Sequence, residues 1–237
     1  MIWTVEGEPR TGRASFAGHD ISYRVAGRGP AVVLVKPHRR PKDYPQLRIL
    51  PDRYLTVQIE PLGFGASDRP REYPEAGLHE QIHAVLDQEM VDRFVIWGYS
   101  RGGAMAATVA QASPRVAAMV AGGFSLVTMP TDGQMARMDR EQRVPVADRT
   151  LWHRYKRYDW LAELVGMRCP RLLYVGGDDR TFARGVRRTH GPLTAGGVTV
   201  IEFAGLDHQT GNEEPALSSR IVPTVIDWLT NTVGSSW

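Results

Sequence analysis

Cysteine is almost absent. Cys169 is the only one in 237 residues, so no internal disulfide can form and a reducing compartment is expected. Lysine is nearly as scarce: Lys36, Lys42 and Lys156 are the three lysines among 29 basic residues, and arginine supplies the rest. No apolar run is long enough to span a bilayer, so no membrane partner is expected. The segment Met1 to Arg10 carries acidic side chains and lacks an apolar core, so no signal peptide is expected and a cytoplasmic location is. A formal net charge of +3 is too small for this length to point to nucleic acid. The chain has no P-loop, no G-x-G-x-x-G turn and no Cys/His framework, so no cofactor and no metal are expected. Repeats and low-complexity segments are missing as well. What remains is a chain with 42% hydrophobic residues, enough for one domain with a full core.

The most informative stretch is Gly98-Tyr99-Ser100-Arg101-Gly102. Ahead of it, Arg93 to Trp97 reads as a short apolar strand. Behind it, Gly103 to Gln111 is small, apolar and rich in helix formers. A serine on a tight strand-to-helix turn presents its Oγ, and the flanking glycines make room for a backbone that a side chain would obstruct. Ser100 is therefore the candidate nucleophile. A serine hydroxyl needs a positioned base, and the base needs an orienting acid. Arg171 to Val175 reads as a buried strand that runs into Gly176-Gly177-Asp178-Asp179, and either aspartate suits the acid. Val198 to Phe203 reads as another strand, followed by Ala204-Gly205-Leu206-Asp207-His208. Nucleophile, acid and histidine thus follow in the order Ser, Asp, His. The last two lie just past strand C-termini, the edge where active-site groups gather in open α/β sheets.

These features together resemble the α/β-hydrolase fold, nearly end to end. Ile21 to Pro30, with Tyr23, Gly27, Gly29 and Pro30, is similar to the entry into that fold's first core strand, here Ala31 to Val35. The segment from Ile59 to Asp68 resembles the D-x-x-G-x-G-x-S-D loop, with Glu60 where Asp is usual. The resemblance implies an α/β fold with a mostly parallel central sheet, helices on both faces and a short helical cap. It implies one domain over residues 1–237, with 125–167 as the cap, and a monomer or homodimer acting on a small molecule. The family spacing selects Asp179 as the acid and leaves Asp178 to cap the turn or the helix expected near Thr181. It also implies an oxyanion hole built from the backbone N–H of Arg101 and, from the loop after the first core strand, that of His38. That loop reads Lys36-Pro37-His38, and Pro37 has no N–H to give.

The implied activity is a serine hydrolase, with an acyl-enzyme on Ser100 formed from a small carboxylic ester, lactone or thioester. The alternative is a protein of the same fold that works by acyl transfer, carbon–carbon bond cleavage or small-molecule binding with little turnover.

Elsewhere the pattern predicts an antiparallel hairpin, Arg13 to Phe16 with Ile21 to Val25, turning at Gly18-His19-Asp20. It further predicts a strand at Tyr54 to Ile59, a helix over Glu75 to Glu89, a strand at Val116 to Val120 and a closing helix over Pro223 to Val233. Helical periodicity breaks down between Phe124 and Met167, where aromatic residues mix with arginines. Tyr99, Phe124, Trp152 and Tyr155 are candidate substrate-pocket residues. The basic cluster Lys36, His38, Arg39, Arg40 and Lys42 is placed at the site mouth, where it would attract an anion or form a solvated face. Arg184, Arg187 and Arg188 share one helix face and read as ordinary surface.

Overall fold

The computed structural model describes residues 9–35, 37–72, 77–125, 131–141 and 146–234. Among the described residues, eight strands make one sheet: β1 (Arg10–Phe16), β2 (His19–Ala26), β3 (Ala31–Val35), β4 (Leu55–Glu60), β5 (Phe94–Tyr99), β6 (Val116–Gly122), β7 (Arg171–Gly176) and β8 (Thr199–Phe203). Their order is β1-β2-β4-β3-β5-β6-β7-β8. β2 runs antiparallel to both of its neighbours, and every pairing from β4 to β8 is parallel. Parallel strands put the loops that follow β3, β5, β7 and β8 on one edge.

The central strands are apolar because both faces are covered. All five residues of β3 are buried, and so are all six of β5 and all seven of β6. Alternation sends Val33 and Ile96 to one side, with Ile82, Val85, Ala106 and Trp160. Val32, Leu34, Val95 and Trp97 go to the other, with Leu47, Val225 and Leu229. The helices are α1 (Gln46–Ile49), α2 (Leu78–Gln88), α3 (Arg101–Ala112), α4 (Asp132–Glu141), α5 (Val146–Tyr155), α6 (Trp160–Gly166), α7 (Ala183–Ala195), α8 (Glu214–Ala216) and α9 (Val222–Val233). In α3, Ala104, Ala106 and Ala107 are fully buried, and these small side chains let the helix lie close on β5 and β6.

Several expectations shift. The hairpin turns at Ala17 and Gly18, with φ 50° and 78°, and His19 and Asp20 already belong to β2. Positive φ at both central residues is the two-residue turn whose twist matches paired strands. The helix expected over Glu75 to Glu89 runs from Leu78 to Gln88, and residues 73–76 lie outside the described set. Residues 126–130 and 142–145 of the expected cap lie outside it too. The rest of 125–167 carries α4, α5 and α6, and the rings of Trp152, Tyr155 and Trp160 on α5 and α6 pack against one another. Among the described residues, no helix is long and apolar enough to cross a membrane.

On α2, the ring of half-buried His83 meets Ser113 Oγ through Nε2 at 2.8 Å. Burial holds its pKa below the ordinary histidine value, and Arg115 pushes in the same direction. The native state therefore binds this proton less readily than the unfolded chain. The stability so contributed is present above the ordinary histidine pKa of about 6.5 and is lost as pH falls through the lowered native value. In urea titrations between pH 7.5 and 5, His83→Gln is expected to flatten the acid-side loss of stability. An unchanged slope would contradict the assignment.

Candidate active site

Two glycines explain the turn after β5. A Cβ on Gly98 would lie 1.9 Å from the Gly102 carbonyl oxygen, and a Cβ on Gly102 would lie 2.6 Å from the Val35 carbonyl oxygen. With neither present, α3 starts directly against the ends of β3 and β5. Ser100 between them has φ 54° and ψ −123°, a conformation that costs a non-glycine residue on the order of 1–3 kcal/mol. Its N–H donates to the Gly122 carbonyl at 2.7 Å, and its carbonyl accepts from Gly103 N–H at 2.8 Å. The side chain is thereby turned out of the sheet edge at the positive end of the α3 dipole.

Asp179 and His208 meet it there. His208 Nε2 lies 3.1 Å from Ser100 Oγ, and His208 Nδ1 lies 2.8 Å from Asp179 Oδ2. The Asp179 side chain is fully buried, whereas that of His208 is 39% exposed, so the acid is sealed while the imidazole faces the groove. Asp179 Oδ1 accepts from the N–H groups of Thr181 and Phe182, each at 3.0 Å. The capping role expected of Asp178 thus falls to Asp179. Asp178 is exposed, and α7 begins at Ala183 rather than near Thr181. Two backbone donors on one carboxylate oxygen leave the other aimed at the imidazole.

β8 is separated from β5 by β6 and β7, so His208 has to be carried across two strands to reach Ser100. Tyr99 is the tether. Its hydroxyl donates to the His208 carbonyl at 2.7 Å, and its ring centroid lies 5.4 Å from that of the imidazole. Burial pushes the phenol pKa far up, which keeps it a donor. Asp207 anchors the same loop: Oδ1 accepts from the N–H groups of Gln209 at 3.0 Å and Thr210 at 2.8 Å. The Thr210 bonds hold its carboxyl below the ordinary aspartate range. No sequence motif announced Tyr99 as a tether; the signal was only a large polar-tipped ring beside the serine.

The loop after β3 is also held. The Pro37 carbonyl accepts from Arg101 Nη2 at 3.1 Å, the His38 carbonyl from Gly65 N–H at 2.6 Å, and the Arg39 carbonyl from Arg69 Nη2 at 3.1 Å. Lys36 lies outside the described residues. Gly65 belongs to the loop with the unusual Glu60. Its φ is 52°, and a Cβ there would fall 2.0 Å from the Glu60 carboxyl carbon. Lacking one, it admits the longer acid, whose Oε2 accepts from Ala66 N–H at 2.8 Å.

A groove of about 450 Å³ reaches Ser100. It is lined by Pro37, His38, Lys42, Tyr44, Tyr99, Ser100, Arg101, His208, Gln209, Asn212 and Glu213. A larger one of about 760 Å³ passes behind His208 between Asp179, Arg184 and Arg187, and does not include Ser100. Of the four candidate pocket residues, Tyr99 lines the first groove. Phe124, Trp152 and Tyr155 instead pack among themselves, with centroids 5.8–6.2 Å apart, in the apolar core under α5. They are drawn inward because burying large rings against one another outweighs lining an open polar groove. Phe182, 5.0 Å from Phe124 and 5.1 Å from His208, links that cluster to the imidazole. Among the described residues, no group of three His, Cys, Asp or Glu side chains is arranged to hold a metal ion.

The sequence pattern of the alpha/beta hydrolase fold family matches residues 42–149. Solved structures align over almost the whole chain. A hydrolase from Pseudomonas aeruginosa PA01 is 20% identical, with a TM-score of 0.68 over 93% of this chain and 99% of that one. E-2-(acetamidomethylene)succinate hydrolase is 18% identical, with a TM-score of 0.67 over 95% and 99%. The protein has the α/β-hydrolase fold. The enol-lactonase from Burkholderia xenovorans LB400 is also similar to this α/β-hydrolase-fold chain, at 20% identity and a TM-score of 0.64 over 92% and 100%. No curated protein matches the chain in sequence.

Tyr99→Phe keeps the ring and removes the donor, leaving the His208 carbonyl short of a partner. The variant is expected to lose about 1 kcal/mol of stability, a fall of roughly 2–4 °C in Tm for a chain of this size. Calorimetry showing no change would remove Tyr99 as the tether.

Proposed function

We propose that the protein is a serine hydrolase that cleaves a small carboxylic ester, lactone or thioester through an acyl-enzyme on Ser100. The observation that carries this reading is the unbroken line of contacts from Ser100 Oγ through His208 to the buried Asp179. In this mechanism His208 Nε2 takes the Ser100 proton as Oγ attacks the substrate carbonyl. The imidazolium, oriented by Asp179, then protonates the leaving alkoxide or thiolate. Water attacks the acyl-enzyme, its proton passes to Nε2, and the acid departs as Ser100 regains a proton. One water is consumed; an ester or thioester gives one acid and one alcohol or thiol, and a lactone gives one hydroxy acid.

The oxyanion forms beside the backbone N–H groups of Arg101 and His38, which act as donors. The three bonds to consecutive carbonyls of residues 37–39 support this role, since they hold the loop in place before substrate arrives. Arg101 joins the two halves of the hole through its side chain on the Pro37 carbonyl. Preorganised donors of this kind are worth about 3 kcal/mol each in the transition state. In this reading residues 125–167 form the cap over a single domain, and Tyr99 is the wall residue beside the reacting oxygen.

Intact-protein mass spectrometry after exposure to a fluorophosphonate tests the reading. One adduct is expected on the wild type and none on Ser100→Ala. Asp179→Asn should keep the fold and lower kcat on an activated ester by about 10⁴-fold, because the imidazole loses its tautomer and its counter-charge. A folded wild type that takes no adduct would reject the proposal.

A further inference from the structure

The His208 side chain is 39% exposed, so water reaches the imidazole from the groove. An imidazole this open would be free to turn about its Cβ–Cγ bond and carry Nε2 away from Ser100. Its contact with Asp179 resists that rotation, and so do two aromatic rings. The Tyr99 centroid lies 5.4 Å from the imidazole at an interplanar angle of 37°, and that of Phe182 lies 5.1 Å away at 44°. Tyr99 ends β5, next to the serine. Phe182 stands three residues past Asp179, in the loop between β7 and α7.

Phe182 is itself firmly placed. Its N–H donates to Asp179 Oδ1 at 3.0 Å, and its carbonyl accepts from Val186 N–H at 3.1 Å in the first turn of α7. The ring packs on Phe124, with centroids 5.0 Å apart, and against the buried cluster of Val175, Ala183 and Val186. Phe124 in turn lies against Trp152 and Tyr155 of α5. One residue therefore grips both members of the Asp179–His208 pair. It holds the carboxylate through its backbone and the imidazole through a ring wedged into the core.

We infer that Phe182 is a positioning residue for the reaction at Ser100. Its ring keeps the imidazole in the one orientation that sets Nδ1 on Asp179 and Nε2 on Ser100. The inference rests on the proposed roles of Ser100, His208 and Asp179 and adds a residue to them. Phe182 acts through the imidazole and exchanges no proton. Its effect falls on the chemical step, because a base displaced by about 1 Å no longer meets the Ser100 proton as the new bond forms. The tautomer depends on the same orientation, since the ring nitrogen that faces the carboxylate keeps its proton.

Phe182→Leu and Phe182→Met keep apolar bulk at the site and remove the ring. Long-range 1H–15N spectra of histidine-labelled protein, in alkaline buffer where the imidazole is neutral, read the His208 tautomer. Its signals are identified by their loss in His208→Gln. The wild type is expected to show the Nδ1–H tautomer alone, and each variant to show the Nε2–H tautomer beside it. On 4-nitrophenyl acetate both variants should lose about tenfold in kcat and keep KM within about twofold. A ring with a merely structural role would lower Tm and leave tautomer and kcat as in the wild type. That outcome, or a tautomer mixture already present in the wild type, would overturn the inference while leaving hydrolysis at Ser100 standing. The spectra need no turnover. A wild type that cleaves no ester and takes no fluorophosphonate adduct would reject the hydrolase reading, and the tautomer would still decide what Phe182 does to the imidazole.

Discussion

The backbone of α3 touches the backbone of β5 and β3 without any side chain between them, and the candidate site depends on that contact. Gly98 and Gly102 remove the two Cβ atoms that would stand in the way. Ser100, caught between them, has to adopt a positive φ. The strain is offset locally by hydrogen bonds to Gly122 and Gly103, and the surrounding apolar strands hold it. A serine on a relaxed turn at the same place would have rotamer and backbone freedom, and its Oγ would meet the imidazole only part of the time.

A second constraint is distance across the sheet. Ser100 follows β5, while Asp179 and His208 follow β7 and β8. The sheet spaces neighbouring strands nearly 5 Å apart, so the last loop must fold back over two strand ends. Tyr99 on one side and the Asp207–Thr210 bonds on the other hold it there. The Tyr99 ring lies flat enough to do this because Gly123, at the end of β6, carries no side chain where the ring passes: a Cβ there would fall 2.4 Å from it. Burial, tether and the geometry of the candidate site are thus one arrangement.

The same edge explains why the groove is polar. It is built from loop backbone and loop side chains, while Phe124, Trp152, Tyr155 and Trp160 pack in the core under α5. What faces Ser100 is then whatever the loops after β3 and β8 and the first residue of α3 supply: Lys42, Arg101, Asn212 and Glu213. The polarity of the groove follows from this division between an aromatic interior and a charged rim.

Much was legible before any fold was drawn. Unbroken apolar runs at Ala31 to Val35 and Phe94 to Trp97 specify strands buried on both faces. Glycines spaced around Ser100 specify a tight turn, and strand-terminal Asp and His specify the sheet edge, since these are local properties of residue size, polarity and period. Other matters belonged to tertiary structure. The capping of the turn by Asp179 rather than Asp178 depends on which carboxylate the turn buries. The tether at Tyr99 joins residues more than a hundred positions apart. Phe124, Trp152 and Tyr155 read singly as core and together as a candidate wall, and packing sets all three in the core. The backbone around Asp43 is held by the Gln58 side chain, and its carboxylate is paired with Arg24 on another strand. Sequence patterns carry period and composition, which decide elements. Which side chains meet is decided by the burial of the whole chain at once, and no local pattern encodes that.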